Sequence, residues 1–264
     1  MTKGKKITVI LILTILALLL TGLLFGEKLE EIYRNVSFHW EERTVAELTV
    51  KAYADEQGIS YGAYPESLIQ LLERNPETET FVLEYPTYQP GEYDLSEYEN
   101  SESVPLFMQW DQRWGYEEYG SDVIGITGCG PTCLAMVGYY LTGDDSFTPE
   151  KVAEFAERNG YYASGYGSSW TLISEGGVKL GLDVTEIPLV KKRMVENLEV
   201  GNPIILAMGP GDFTTSGHYI VLTGLKEGRF VVNDPNSYAN SRRPWAYEEL
   251  EGQIRNLWVI RYFE

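Results

Sequence analysis

An uncharged, largely apolar run from Ile7 to Phe25, placed behind Lys3, Lys5 and Lys6, limits what the rest of this chain can be. About 20 residues at about 1.5 Å each cross a hydrocarbon core of roughly 30 Å. The run is longer than the apolar core of a signal peptide, and no small-x-small cleavage site closes it at "LLTGLLFGE". The expectation is an uncleaved signal anchor; if the segment is removed, the remainder is secreted instead. No cysteine follows the run, so a lipid-modified N-terminus is not expected. Lysines precede it and acids follow it. By the positive-inside rule, the N-terminus is cytoplasmic and everything after residue 26 is extracellular.

The remaining chain is strongly acidic. The formal net charge is -18 over 264 residues. Such a balance excludes a nucleic-acid binder, which needs a basic footprint. It serves solubility in the plain reading and a preference for cationic substrates in the sharper one. The acidity is concentrated between Glu27 and Ser103, with roughly 18 acids against 5 bases.

Patterning divides the chain into residues 1–26, 27–103 and 104–264. Glu27 to Gly58 is charged and helix-compatible, and reads as a stalk. His39 lies there, with no catalytic constellation around it. In "YPESLIQLLERNPETETFVLEYP", Pro65 and Glu66 suit a first helical turn. Leu68, Ile69, Leu71 and Leu72 form an apolar stripe, and Asn75-Pro76 ends it. "TFVLEYP" reads as a short extended segment, and Thr87 to Ser103 as a linker rich in acids, serines and tyrosines.

From Val104 the pattern becomes dense. Pro131 fits the first turn of a helix whose Leu134, Val137 and Leu141 recur at i, i+3 and i+7, with Met136 and Tyr140 on the same side. Gly143 stops it. A second helix has Thr148 as N-cap, Pro149 at its first position and Gly160 at its end. "SSWTLISEGGVKLGL" gives a third. Strands follow at Pro203–Met208, His218–Leu225, Arg229–Asp234 and Asn256–Phe263. Helices first and closely linked strands later indicate an α+β domain with an antiparallel sheet.

The chain's two cysteines, Cys129 and Cys133, stand four residues apart in "GITGCGPTCLAMVGYYLTG". Outside the cell, structural cysteines tend to pair. Within one helical turn, however, the Cβ vectors diverge and a bridge would be strained. A zinc site needs about four ligands, and no second paired spacing supplies them. A thiol at a helix start faces unpaired N–H groups and the positive end of the helix dipole, which favour thiolate. An imidazole can form an ion pair with it, and an acid on the other ring nitrogen fixes the tautomer. His218 is the only histidine after residue 103. It opens one predicted strand, and Asp234 closes the next. Each piece has a plain reading as core residue, satisfied polar group or turn. In this order, they favour a catalytic constellation.

Here the sequence resembles a known family. "VPLFMQWDQRWGYEEYGSDVIGITGCGPTCLAMV", "SGHYIVLTG" and "FVVNDP" are similar to motifs of the papain-fold cysteine peptidases called peptidase family C-thirty-nine-like. Relatives of that family remove double-glycine leaders from bacteriocins. The resemblance runs from Val104 to Glu264, and Tyr64 to Pro86 resembles an extension that often precedes the domain. It implies a papain-like fold with Cys129 as nucleophile, His218 as base and Asp234 as its orienting acid. It also implies Gln109 as an oxyanion donor, with Gln112 second, although Gln109 stands further from the cysteine than in the leader peptidases. Cys133 is implied to be a core-facing, inert thiol.

The expected chemistry is acyl transfer on a peptide or protein substrate, with no metal or organic cofactor. A cell-wall amidase or transpeptidase could use the same triad, and a non-catalytic peptide-binding module could keep the fold. A leader peptidase within an export machine is disfavoured, because no G-x-x-x-x-G-K-[ST] loop occurs. Gly128, Gly130 and Gly217 are candidates for letting a substrate backbone approach. Trp170 is a candidate groove wall. "SGYGSSW" and "GPGDFTTSG" are candidate groove edges.

Overall fold

The computed structural model describes residues 43–165 and 167–263, together with Gly26 and Lys28. The expected membrane span, Ile7 to Phe25, and His39 lie outside the described residues. Among the described residues, no helix is long and apolar enough to cross a membrane. The chain divides between Leu48 and Thr49 into two units. In the first, Thr44 and Glu47 form a reciprocal helix-start box. The Glu47 N–H donates to Thr44 Oγ1 at 3.3 Å, and the Thr44 N–H donates to Glu47 Oε2 at 2.8 Å. This box opens helix α1, Val45–Gln57, which runs across the boundary.

The second unit begins with a helical extension. Helix α2, Glu66–Arg74, buries the stripe Leu68, Ile69, Leu71 and Leu72 and ends ahead of Asn75-Pro76, as its sequence predicts. The segment "TFVLEYP" differs from expectation. It forms helix α3, Glu79–Glu84, followed by a 3-10 turn at Tyr85–Thr87. Phe81, Val82 and Leu83 are all buried, and burial on several sides overrides the strand preference of a short apolar run. Phe81 stacks on Tyr116 with ring centroids 4.3 Å apart, which seats the extension against the chain that leads to Cys129.

Thr87 to Ser103 packs where the sequence suggests a linker. Leu95 is buried in the main core, Tyr93 and Tyr98 lie against that core, and the Tyr139 hydroxyl donates to the Leu95 carbonyl at 3.2 Å. Aromatics scattered among acids have no periodicity to read, yet each buries a large apolar face.

After hairpin strands β1 (Glu118–Tyr119) and β2 (Asp122–Val123), a one-turn helix α4 (Ile124–Thr127) leads into α5 (Cys129–Thr142). Ten of the fourteen residues of α5 are buried, so it is a central helix rather than an amphipathic one. Gly143 ends it in the left-handed region at φ 66°. Helix α6, Pro149–Arg158, starts on the predicted cap: Thr148 Oγ1 accepts from the Lys151 N–H at 3.2 Å. Hairpin strands β3 (Tyr162–Ala163) and β4 (Gly167–Ser168) come next. The predicted third helix forms with a π turn over Leu172–Gly176 that continues into α7, Gly177–Lys179.

The main sheet contains β5 (Asp183–Glu186), β6 (Ile204–Met208), β7 (His218–Lys226), β8 (Arg229–Asn233) and β9 (Ile254–Arg261). Its order is β5-β9-β6-β7-β8, and every pairing is antiparallel. Period-2 alternation sends Ile205, Ala207, Tyr219 and Val221 into the core shared with α5 and α6. Ile204, Leu206, Ile220 and Leu222 face a second core covered by α8, Lys191–Glu199, through Met194 and Leu198. With both faces covered, β6 is buried along its whole length. The sheet ends nearest the site carry His218 at the start of β7 and Asp234 just past β8. Their hairpin turns at Glu227-Gly228, where φ is 54° and 74°, as a two-residue turn requires.

Candidate active site

Cys129 stands at the first position of α5, where backbone N–H groups have no intrahelical partner. The glycines beside it serve close packing. A Cβ on Gly128 would lie 2.5 Å from the Ile124 carbonyl oxygen, so glycine allows the tight passage from α4 into α5. A Cβ on Gly130 would lie 2.6 Å from Ser168 Oγ, which places hairpin β3–β4 against the first turn of α5. Both glycines are buried. Cys129 is partly exposed and Cys133 fully buried, and both are free thiols. Burial pushes the Cys133 thiol well above its ordinary range, and the charges of Cys129 and Asp234 push the same way.

His218 and Asp234 form a buried pair. His218 Nε2 lies 2.7 Å from Asp234 Oδ1, with side chains 7% and 1% exposed. This contact leaves Nδ1 as the ring nitrogen for the thiol. Burial is the largest influence on His218 and favours the neutral ring. The charge of Asp234, its hydrogen bond and the interaction with Cys129 outweigh burial and raise the imidazole to about 10.

Asp234 is itself held on both oxygens. Oδ1 also accepts from the Asn236 N–H at 2.9 Å, and Oδ2 accepts from Asn240 Nδ2 at 2.8 Å. Its own N–H donates to Ser241 Oγ at 2.9 Å. No motif in the sequence marks Asn236, Asn240 or Ser241 as partners of Asp234. The Asp234–Asn236 contact is the local turn that "NDPNS" encodes. Asn240 sits on the one-turn helix α9, Tyr238–Ser241, and periodicity gives no sign of it.

Gln109 joins the two sides of the site. Its backbone N–H donates to the Pro235 carbonyl at 2.7 Å, next to Asp234. Its Nε2 donates to the Gly125 carbonyl at 2.9 Å and more weakly to Ile126 at 3.4 Å, just before Cys129. Its Oε1 is buried with no hydrogen-bond partner among the described residues. Gln112 points elsewhere, donating through Nε2 to Glu84 Oε2 at 2.6 Å. It ties the entry segment to the extension.

Trp170 follows β4 and is 49% exposed. Its ring lies edge-on to Trp258 at 6.0 Å, and Trp258 stacks on Tyr219, the neighbour of His218. Gly217 is exposed, with open space where a Cβ would stand. The loop before it is anchored rather than free. Phe213 packs on Trp245 at 4.5 Å, and the Asp212 N–H donates to Gln253 Oε1 at 2.6 Å.

No curated protein matches the sequence. Two solved structures are similar in outline. One is the peptidase domain of Streptococcus ComA, a bi-functional ABC transporter involved in a quorum-sensing pathway. It is 18% identical with a TM-score of 0.43, and the match covers 61% of this chain and 99% of that one. The other is a putative C39-like peptidase from Bacillus anthracis. It is 14% identical with a TM-score of 0.36, and the match covers 61% of this chain and 96% of that one. The model of the Peptidase_C39 like family matches residues 101–263, the whole stretch that carries Gln109, Cys129, His218 and Asp234. The chain therefore belongs to the Peptidase_C39 like family.

Proposed function

We propose that this protein is a cysteine peptidase that hydrolyses peptide bonds through Cys129, His218 and Asp234. The observation that carries the reading is the buried His218–Asp234 pair, which leaves the other ring nitrogen for the Cys129 thiol at the tip of α5. Family membership supports peptidase chemistry in general.

In this mechanism the Cys129 thiolate attacks the peptide carbonyl carbon. The carbonyl π electrons move to oxygen. The Cys129 N–H and one Gln109 amide hydrogen stabilise that oxyanion, each donor contributing roughly 2.7–4 kcal/mol. In the free protein Gln109 Nε2 instead contacts the Gly125 and Ile126 carbonyls, so the amide has to turn toward the substrate for this role. Catalytic hydrogen bonds often tighten only when substrate binds. His218 Nδ1 gives its proton to the leaving amine as the C–N bond breaks. The neutral ring then takes a proton from water, whose oxygen attacks the thioester and releases Cys129. Asp234 keeps the ring oriented throughout.

The reading extends to location. Three lysines, an apolar run and an acidic sequel favour a single membrane anchor with the peptidase domain outside the cell. Peptides or proteins are the substrate class, with Trp170 and Gly217 at the edge of the groove.

The test is hydrolysis of a diverse peptide library and a protein panel by the full chain, wild type against Cys129→Ala. Cleavage by the wild type alone is expected. Undiminished cleavage by Cys129→Ala overturns the reading.

A further inference from the structure

The extension ahead of the family domain reaches the loop that follows Asp234. Glu77 accepts two backbone hydrogen bonds there, from the Tyr238 N–H to Oε2 at 2.8 Å and from the Ala239 N–H to Oε1 at 3.1 Å. Asn75 Nδ2 donates to the Asn236 carbonyl. The Asn75 side chain also accepts from the Glu77 N–H at 3.1 Å, which fixes the two residues relative to each other. The gripped segment, Asn236 to Ala239, lies between the two donors that hold the Asp234 carboxylate, the Asn236 N–H and Asn240 Nδ2. The same extension also reaches the nucleophile's side. Phe81 packs so closely over Gly125 that a Cβ there would lie 2.5 Å from its ring.

We propose that Glu77 and Asn75 are positioning residues: by clamping Asn236 to Ala239, the extension sets the orientation of Asp234 and, through it, of His218. The inference rests on the peptidase reading above. A carboxylate bonded to two successive N–H groups fixes both the position and the direction of a short helix start. Trp110, Ser237, Ser241 and Trp245 also hold this four-residue helix. Trp110 Nε1 donates to the Asn236 carbonyl, the Asn240 N–H to Ser237 Oγ, the Asp234 N–H to Ser241 Oγ and Trp245 Nε1 to the Asn240 carbonyl. Glu77 is the group that fixes the two N–H groups of its first turn. Without Glu77, Asn240 would carry its Nδ2 away from Asp234. The titratable groups facing His218 are Asp234 and Cys129. A displaced Asp234 therefore weakens the imidazolium that would pair with the Cys129 thiolate, and the thiol reacts more slowly.

The test reads the thiol directly and needs no known substrate. Full-length wild type, Glu77→Ala, Glu77→Gln, Glu77→Asp, His218→Ala and the exposed control Glu79→Gln are alkylated with iodoacetamide over a range of pH. Modification of Cys129 is followed by peptide mass, and thermal midpoints are recorded in parallel. The expected result is that Glu77→Ala slows Cys129 alkylation about tenfold near neutral pH and converges on wild type at alkaline pH. Glu77→Gln, which keeps one acceptor oxygen, falls between, so the series stays informative if Glu77→Ala folds poorly. Glu77→Asp recovers most of the rate, and Glu79→Gln matches wild type. A profile that depends on His218 but is unchanged in Glu77→Ala and Glu77→Gln overturns this inference alone, even if their thermal midpoints fall. A wild-type profile indifferent to His218→Ala overturns the peptidase reading, and this inference with it.

Discussion

The two ends of the first turn of α5 hold the same functional group in opposite circumstances. Cys129 is partly exposed at the helix tip, beside His218. Cys133 is one turn deeper, fully buried, its thiol pushed well above the ordinary range by burial. The difference is positional, not chemical. Four residues of helix, about 6 Å, separate a thiol that can meet a substrate from one that cannot leave the core. The fold makes this difference with the tight glycine passage before Cys129, which frees the helix tip, and with the central burial of α5, which encloses everything after it.

The sharpest way to break the comparison is to remove each sulfur in turn. Cys129→Ala should lower peptide hydrolysis by a factor on the order of 10⁶, the scale seen when a catalytic nucleophile is deleted. Cys133→Ala should leave turnover within about twofold and cost only about 1 kcal/mol of stability, measured by denaturant unfolding. Comparable activity losses in the two variants would mean that the thiols act together.

Next in size is the partner that distinguishes Cys129 from Cys133. Asp234→Ala should reduce kcat about 10⁴-fold with a smaller change in KM, because the ring loses its tautomer and orientation. The variant also tests a pH dependence of stability. His218 is raised from 6.5 in the unfolded chain to about 10 in the fold. Its contribution to stability is therefore complete below pH 6.5 and is lost as pH rises toward 10. The thermal midpoint gap between wild type and Asp234→Ala should be largest just below pH 6.5 and shrink toward pH 10. A gap that widens with rising pH would contradict the ion pair.

A smaller effect is expected at the helix tip. Gly130→Ala would bring a methyl carbon 2.6 Å from Ser168 Oγ. It should cost about 2 kcal/mol and move hairpin β3–β4 away from the tip. Unfolding midpoints and the KM of a cleaved library peptide would read the two consequences. Unchanged values in both would show that the close packing does not shape the tip.

Much of this was legible in the sequence, for identifiable reasons. Thr148, Pro149 and Gly143 are residues whose chemistry allows few placements, and each stands where it was expected. The lone histidine of the domain left one candidate for the ring that faces Cys129. The four late strands read clearly from β-branched and aromatic runs. Strand β5 and helix α8, by contrast, are short and rich in charged residues, with few apolar positions to mark them. The apolar run before Tyr85 is helical although its sequence reads as extended, because its length suits either structure. The tyrosine-rich segment around Leu95 hid its burial behind acids. Within the site, the sequence pointed to Asp234 but not to what holds it. Asn240 and Glu77 act through tertiary contacts, and Glu77 reaches over 160 positions along the chain to bond Tyr238 and Ala239. Gln109 was anticipated as an oxyanion donor. Its bridging of the Pro235 and Gly125 carbonyls emerges only in three dimensions.

The most direct measurement is stoichiometric inactivation of the wild-type chain. Iodoacetamide is added in portions, and residual peptidase activity is plotted against the fraction of Cys129 and of Cys133 modified, read by peptide mass. Activity should fall in strict proportion to Cys129 modification and reach zero while Cys133 is still unmodified. Full modification of Cys129 with peptidase activity retained would contradict the account.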